Sequence, residues 1–174
     1  MYQFFEQTME KCPTTLFLVR EKITFQDFPK LVRARATTLK KLGVQYGDTL
    51  GVLAHNIPQF PLTLFAIWYL GATVLMLDTN LTPFEYDNMT KVADCHFVCA
   101  EPSFFYETSQ FKFLDITASD GGVDPKLYPY PLKDCEVASM SFTSGSTSNP
   151  RVVPLTHYNL VECANSLEDM AEYC

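Results

Sequence analysis

Six consecutive residues, Thr143, Ser144, Gly145, Ser146, Thr147 and Ser148, put five hydroxyls and one glycine side by side. Hydroxyl groups donate and accept hydrogen bonds, and a glycine lets the backbone turn its N–H groups toward one point. Such a run can cradle the oxygens of a phosphate. Arg151 follows three residues later and would add a fixed positive charge with several donors. The same residue types also make ordinary surface turns, because Ser, Asn, Gly and Pro are the usual turn formers. Chemistry alone leaves the cradle and the turn both open.

The elements around this run decide how it would be held. Val137–Phe142 reads as a strand feeding the run, and Val152–Leu155 as a return strand. A helix is expected from Tyr158 to Tyr173, with Thr156 or Asn159 at its start. Upstream, strand and helix patterns alternate. Thr24 and Asp27 form a cap signal for a helix carrying Phe28, Leu31, Val32, Ala36, Leu39 and Leu42 at helical spacing, with Gly43 as its stop. A strand is expected at Thr49–Ala54, a helix from Pro58 to Leu70 with Asn56 as cap, and a strand at Thr73–Asp78. Thr82-Pro83-Phe84-Glu85 marks a helix start that runs to Ala93. A strand at His96–Ala100, a short helix at Pro102–Glu107 and a strand at Phe111–Asp115 complete the series. Residues 117–134, with two glycines and three prolines, read as a surface connection. This alternation predicts an α/β fold with a mostly parallel sheet.

The order of residues around the hydroxyl run carries more than its composition. Phe142 to Asn159 reads Phe-Thr-Ser-Gly-Ser-Thr-Ser-Asn-Pro-Arg-Val-Val-Pro-Leu-Thr-His-Tyr-Asn. It resembles the phosphate-loop signature of the adenylate-forming (AMP-binding) enzymes: aromatic-Thr-Ser-Gly-Thr/Ser-Thr-Gly-x-Pro-Lys-Gly-Val-x-x-Thr-His-x-Asn. The match is ungapped. Ser148 and Val152 replace glycines of the signature, and Arg151 replaces its lysine. Arg151 keeps the charge but changes the donor geometry. Ile23-Thr-Phe-Gln-Asp-Phe, Gly47-Asp-Thr-Leu-Gly-Val-Leu, Trp68-Tyr-Leu-Gly-Ala-Thr-Val and Leu81-Thr-Pro-Phe-Glu resemble further family segments in the same order. The resemblance runs from about Thr14 to the end.

The resemblance implies a fold, a reaction and a set of partners. Residues 1–174 would be the incomplete N-terminal part of the large domain of an adenylate-forming enzyme, without the small C-terminal domain. The reaction would be ATP- and Mg²⁺-dependent activation of a small-molecule carboxylic acid to an acyl-adenylate, followed by transfer to coenzyme A, as in acyl-CoA synthetases and aryl-CoA ligases. Thr143, Ser144, Gly145, Ser146 and Thr147 would wrap the β- and γ-phosphates, with Ser148 beside them and Arg151 in place of the lysine. His157 reads as structural. No catalytic or metal-ligating residue is assigned. The family's later adenine, ribose and lysine segments are not recognisable here. The alternative reading is therefore a catalytically inactive truncated remnant, or an interaction module. A sheet cut off early would expose an edge for self-association.

Composition excludes several other classes. The 174 residues are 47% hydrophobic and 19% charged, which suits a globular unit with a sizeable core. A net charge of −7 argues against nucleic acid as a partner. Residues 1–41 carry eight Lys and Arg against four Asp and Glu, which leaves −11 for the remainder. That basic segment reads as the solvated side of a helix or as a docking face for an acidic partner. Phe60 to Leu77 is apolar enough to raise a membrane span, but its punctuation by Pro61 and Gly71 favours a buried helix and strand. With no secretory signal at the start, an intracellular, cytoplasmic protein with reduced cysteines is expected. Cys95 and Cys99 flank His96 like metal ligands, but on a strand their four steps separate the sulfurs by roughly 13 Å, too far for one ion. The run has no second glycine followed by Lys-Ser or Lys-Thr, no serine is flanked as in a hydrolase elbow, and no dinucleotide fingerprint occurs.

Overall fold

Successive residues of a strand point to opposite faces, and in the central strands of this chain both faces are apolar. Val52 and Val74 join one core, while their neighbours Leu53 and Leu75 join another. The computed structural model describes Thr14 and residues 16–18, 20–143 and 151–171. Its centre is a six-stranded sheet between two helical layers. The strands are β3 (Thr49–Leu53), β4 (Thr73–Met76), β5 (Cys95–Ala100), β6 (Lys112–Asp115), β7 (Val137–Phe142) and β8 (Val152–Thr156). Their order is β6-β5-β3-β4-β7-β8. All pairs are parallel except β7–β8, which forms an antiparallel hairpin. Two short strands, β1 (Leu16–Leu18) and β2 (Ile23–Thr24), pair separately.

Helices α1 (Phe28–Lys41) and α2 (Gln59–Tyr69) share the first core, through residues such as Val32, Leu39, Ala66 and Ile67. Helix α3 (Pro83–Val92) serves the second through Tyr86. Helix α4 (His157–Ala171) follows β8 directly. The expected mostly parallel α/β arrangement is therefore present, with element bounds close to those read from the sequence.

Local chemistry explains most boundaries. Thr82 and Glu85 form a reciprocal capping box: the Glu85 N–H donates to Thr82 Oγ1 at 3.4 Å and the Thr82 N–H to Glu85 Oε2 at 2.8 Å. Thr156 and Asn159 repeat the device at the start of α4, at 3.2 and 2.9 Å. Gly43 ends α1 with φ +106°, a conformation that favours glycine. At Gly71, φ is +74° and an added Cβ would lie 2.7 Å from the rings of Tyr46 and Tyr130.

Four expectations need correction. The Thr24–Asp27 pair forms, but as a turn ahead of α1; Asp27 caps without a side-chain bond to the helix. Helix α2 is capped by Pro58 rather than Asn56. The short helix expected at 102–107 is only a 3-10 turn, Pro102–Phe104. Beyond it Phe105 stacks on Phe113 at 4.7 Å and Tyr106 meets the Phe113 and Phe111 rings, so long-range aromatic contacts draw the chain out of the helix. The fourth concerns the basic segment. Arg35 is 5% exposed and belongs to neither a solvated nor a docking face.

The apolar stretch 60–77 folds as most of α2 and then β4, and no helix among the described residues is long and apolar enough to cross a membrane. Cys95 and Cys99 both lie on β5 and are buried, which pushes both thiols up to about 12. The Cys95 sulfur accepts the Gly51 N–H at 3.0 Å.

Candidate phosphate-binding hairpin

The hydroxyl run is the connection of the β7–β8 hairpin. In β7, Val74 of β4 pairs with Ser139 and Leu75 with Met140, so the strand extends the parallel sheet. On its other side Phe142 pairs with Val152 and Ser141 with Val153. The last rung among the described residues is the Thr143 N–H donating to the Arg151 carbonyl at 3.1 Å. Thr143 and Arg151 are both exposed. Ser144, Gly145, Ser146, Thr147 and Ser148 lie outside the described residues. The structure thus brings the two ends of the predicted site together at the carboxyl end of a parallel strand, the edge at which open α/β sheets bind ligands.

The base of the hairpin is tied to the core. The Trp68 indole N–H donates to the Ala138 carbonyl at 2.8 Å, and the Thr73 hydroxyl to the Val137 carbonyl at 3.0 Å. One residue earlier, Glu136 accepts from the Tyr46 hydroxyl at 2.7 Å and from the Lys133 N–H. Those donors hold the Glu136 carboxyl below its usual range, the Lys133 N–H most of all. The Glu136 carbonyl also receives the His157 N–H at 3.0 Å.

His157 opens α4 and is 1% exposed. Its ring lies edge-on to Trp68, with centroids 6.1 Å apart. Burial drives its pKa down to about 4, against the pull of Glu136 and Asp134, so the imidazole is neutral near pH 7. The structural reading of His157 fits this placement. One indole therefore contacts both arms of the hairpin: β7 by a hydrogen bond and the residue after β8 by ring packing.

Two features escaped the sequence reading. His55 and Glu101, at the carboxyl ends of neighbouring β3 and β5, form a pair: Glu101 Oε1 accepts the His55 N–H at 2.7 Å and lies 2.9 Å from Nδ1. The backbone donor chiefly holds the Glu101 carboxyl low. Nothing local in the sequence links these residues, 46 positions apart. The second is Arg35, which donates from Nε to both Asp120 oxygens at 2.8 and 2.9 Å and from Nη1 to the Ile116 carbonyl at 2.8 Å. Its signal was present: Arg35 falls on the same helical stripe as Phe28, Val32, Ala36 and Leu39.

The chain matches the AMP-binding enzyme family over residues 5–173. It belongs to that family. Among relatives of this AMP-binding chain, 4-coumarate:CoA ligase 1 of Petunia hybrida is 25% identical over 154 residues, covering 79% of this chain and 28% of the relative. Acyl-CoA ligase sidI of Aspergillus fumigatus is 25% identical over 181 residues, covering 84% and 31%. The chain therefore spans under a third of the length of these curated relatives. Among solved structures, the N-terminal subdomain of NpsA from Klebsiella oxytoca in complex with 3-hydroxybenzoyl-AMSN superposes with a TM-score of 0.78 at 18% identity, over 90% of this chain and 41% of that one. The O-succinylbenzoate coenzyme A synthetase MenE from Bacillus subtilis in complex with AMP superposes with a TM-score of 0.71 at 22% identity, over 82% and 38%. These likenesses show the fold of the N-terminal part of AMP-binding enzymes. The family match also covers the hydroxyl run.

Proposed function

We infer that this chain carries the phosphate-binding part of an ATP-dependent, acid-activating ligase. The observation behind the reading is one of place: the hydroxyl run falls within the family match and is strung between Thr143 and Arg151 at the carboxyl end of β7. Residues 1–174 are then part of a large adenylation domain. A small carboxylic acid is the substrate, and coenzyme A is the acyl acceptor suggested by the two ligase relatives. A protein drawing on ATP and coenzyme A works inside the cell, and the cytoplasm is the reading preferred here.

In the proposed reaction a carboxylate oxygen attacks the α-phosphorus of ATP. The bond to the bridging oxygen breaks, and pyrophosphate leaves with the electron pair. Negative charge gathers on the leaving group, and donors fixed in advance stabilise it without reorganising. Thr143, Ser144, Gly145, Ser146 and Thr147 supply hydroxyl and backbone donors to the β- and γ-phosphates. Ser148 adds a hydroxyl, and Arg151 adds the cation. The exposed ends of the loop, Thr143 and Arg151, suit a polyanion reached from solvent. Mg²⁺ would supply further charge neutralisation to the phosphates.

The second reading, a remnant or interaction module, draws on Ser148 and Val152 at glycine positions and on Arg151 in place of lysine. Carboxylate-dependent ATP–pyrophosphate exchange, measured with labelled pyrophosphate on the 174-residue chain, separates the two. The ligase reading expects exchange that falls about a hundredfold in Arg151→Ala. Absence of both exchange and ATP binding would leave the remnant.

We also propose a second copy as a partner at the sheet edge. Among the described residues strand β8 has a neighbour on one side only, and Val153 and Leu155 are 40% and 36% exposed. Sedimentation velocity should show concentration-dependent association that a Val153→Lys, Leu155→Lys variant loses. A monomer at all concentrations would refute it.

A further inference from the structure

A cavity of about 320 Å³ opens between the β1–β2 pair, α1, the start of α2 and the segment following β6. It is a cleft open to solvent on the side of Glu21, Leu31 and residues 117–119, and its volume lies within the range of small-molecule sites, ~300–1,000 Å³. Leu18, Ile23, Phe28, Leu31 and Leu62 supply apolar wall. The polar end is the Arg35–Asp120 pair, with Gln59 and Ser119 beside it. The cavity lies beyond the carboxyl ends of β3 and β6, on the ligand-binding side of a parallel sheet.

The charges decide what it can hold. Arg35 and Asp120 neutralise each other at 2.8 Å and are both largely buried, at 6% and 15% side-chain exposure. An anionic head entering here meets the Asp120 carboxylate and, at the rim, Glu21; a cationic head meets Arg35. An outer hollow shares Leu18, Glu21 and Pro58 and places Arg20 next to Glu21, so its charges also cancel. Burying an unpaired charge costs far more than burying a neutral group that finds hydrogen-bond partners. The Gln59 amide and the Ser119 hydroxyl both donate and accept.

We propose that this cavity is a binding site for a neutral amphiphile: a small aromatic or aliphatic body with a hydroxyl or amide head. It is distinct from the phosphate-binding hairpin, which lies at the opposite end of the strand order, and it discriminates against the ionised acids that the proposed reaction consumes.

A matched pair of probes tests this on the whole 174-residue chain: 3-phenyl-1-propanol and 3-phenylpropionate at neutral pH, which share a body and differ in head charge. Titration followed by heteronuclear NMR should show saturable shifts around Leu62 and Ala118 with the alcohol. The carboxylate should bind about tenfold more weakly, a step of ~1.4 kcal/mol. Leu62→Phe, which fills the cavity, should weaken the alcohol about tenfold. Ala118→Leu narrows the mouth from an exposed position that leaves the fold intact, and it should do the same. Equal binding of the two probes, no saturable binding of the alcohol up to its solubility, or alcohol binding indifferent to both substitutions would each overturn the proposal. None of these readouts depends on ATP, so the outcome is separate from that of the exchange assay.

Discussion

Arg35 and His157 are both basic side chains buried against α2, and the molecule treats them in opposite ways. A guanidinium does not give up its proton in a protein, and that of Arg35 is enclosed by Asp120 and the Ile116 carbonyl. His157 gives its charge up: with its ring against Trp68, burial outweighs the nearby carboxylates and the imidazole stays neutral. The first arrangement is an ionic staple from α1 to residues 116–120. The second is an aromatic contact that seats α4 behind the hairpin. A buried base that cannot lose its proton requires a dedicated counter-ion, whereas one that can lose it is able to serve as packing.

The sharpest way to break this contrast is to remove Arg35. Arg35→Met keeps most of the apolar stem but leaves Asp120 largely buried without its cation. Removing one partner of a buried pair costs about 3–5 kcal/mol. Urea unfolding should show that loss as a fall in midpoint with little change in slope. A cost below about 1 kcal/mol would put the pair in the class of surface ion pairs and remove the distinction from His157.

Arg35 also marks where the sequence misleads. Its stripe with Phe28, Val32, Ala36 and Leu39 was visible, yet a charged residue amid other basic residues reads as solvated; the partner that makes burial possible is 85 residues away. Elements set by nearby residues were legible, such as the Thr82–Glu85 box, a helix start near Thr156 or Asn159, the Gly43 stop and the alternating strand–helix pattern. Those set at long range were not. Residues 102–107 read as a short helix but beyond Phe104 follow the aromatic contacts of Phe105 and Tyr106 instead. At the hairpin, the strands either side of the hydroxyl run and the run itself were plain from residue order. The Trp68 anchor was not, because indole and strand are 70 residues apart. The roles of Ser144 to Ser148 rest on resemblance and on the two loop ends.

The other half of the contrast is tested with acid. An unfolded His157 takes up its proton near pH 6.5, and the folded one only near pH 4. Between those values the unfolded chain binds more protons, so folding stability falls as the pH drops from 6.5 to 4. It levels off below 4 and is fully present above 6.5. A gap of that size corresponds to about 3–4 kcal/mol at most, at ~1.36 kcal/mol per unit. Carboxylates held low, such as Glu85, Asp115 and Glu136, also lose stability as they protonate, but they are close to solvent and contribute less. His157→Gln isolates the imidazole, because glutamine has no proton to gain in this range. The difference in unfolding free energy between parent and variant, followed from pH 7.5 to 4, should narrow steadily below pH 6.5. If it stays constant, the imidazole takes up its proton alike in the folded and unfolded chains, and burial does not set His157 apart in the way proposed.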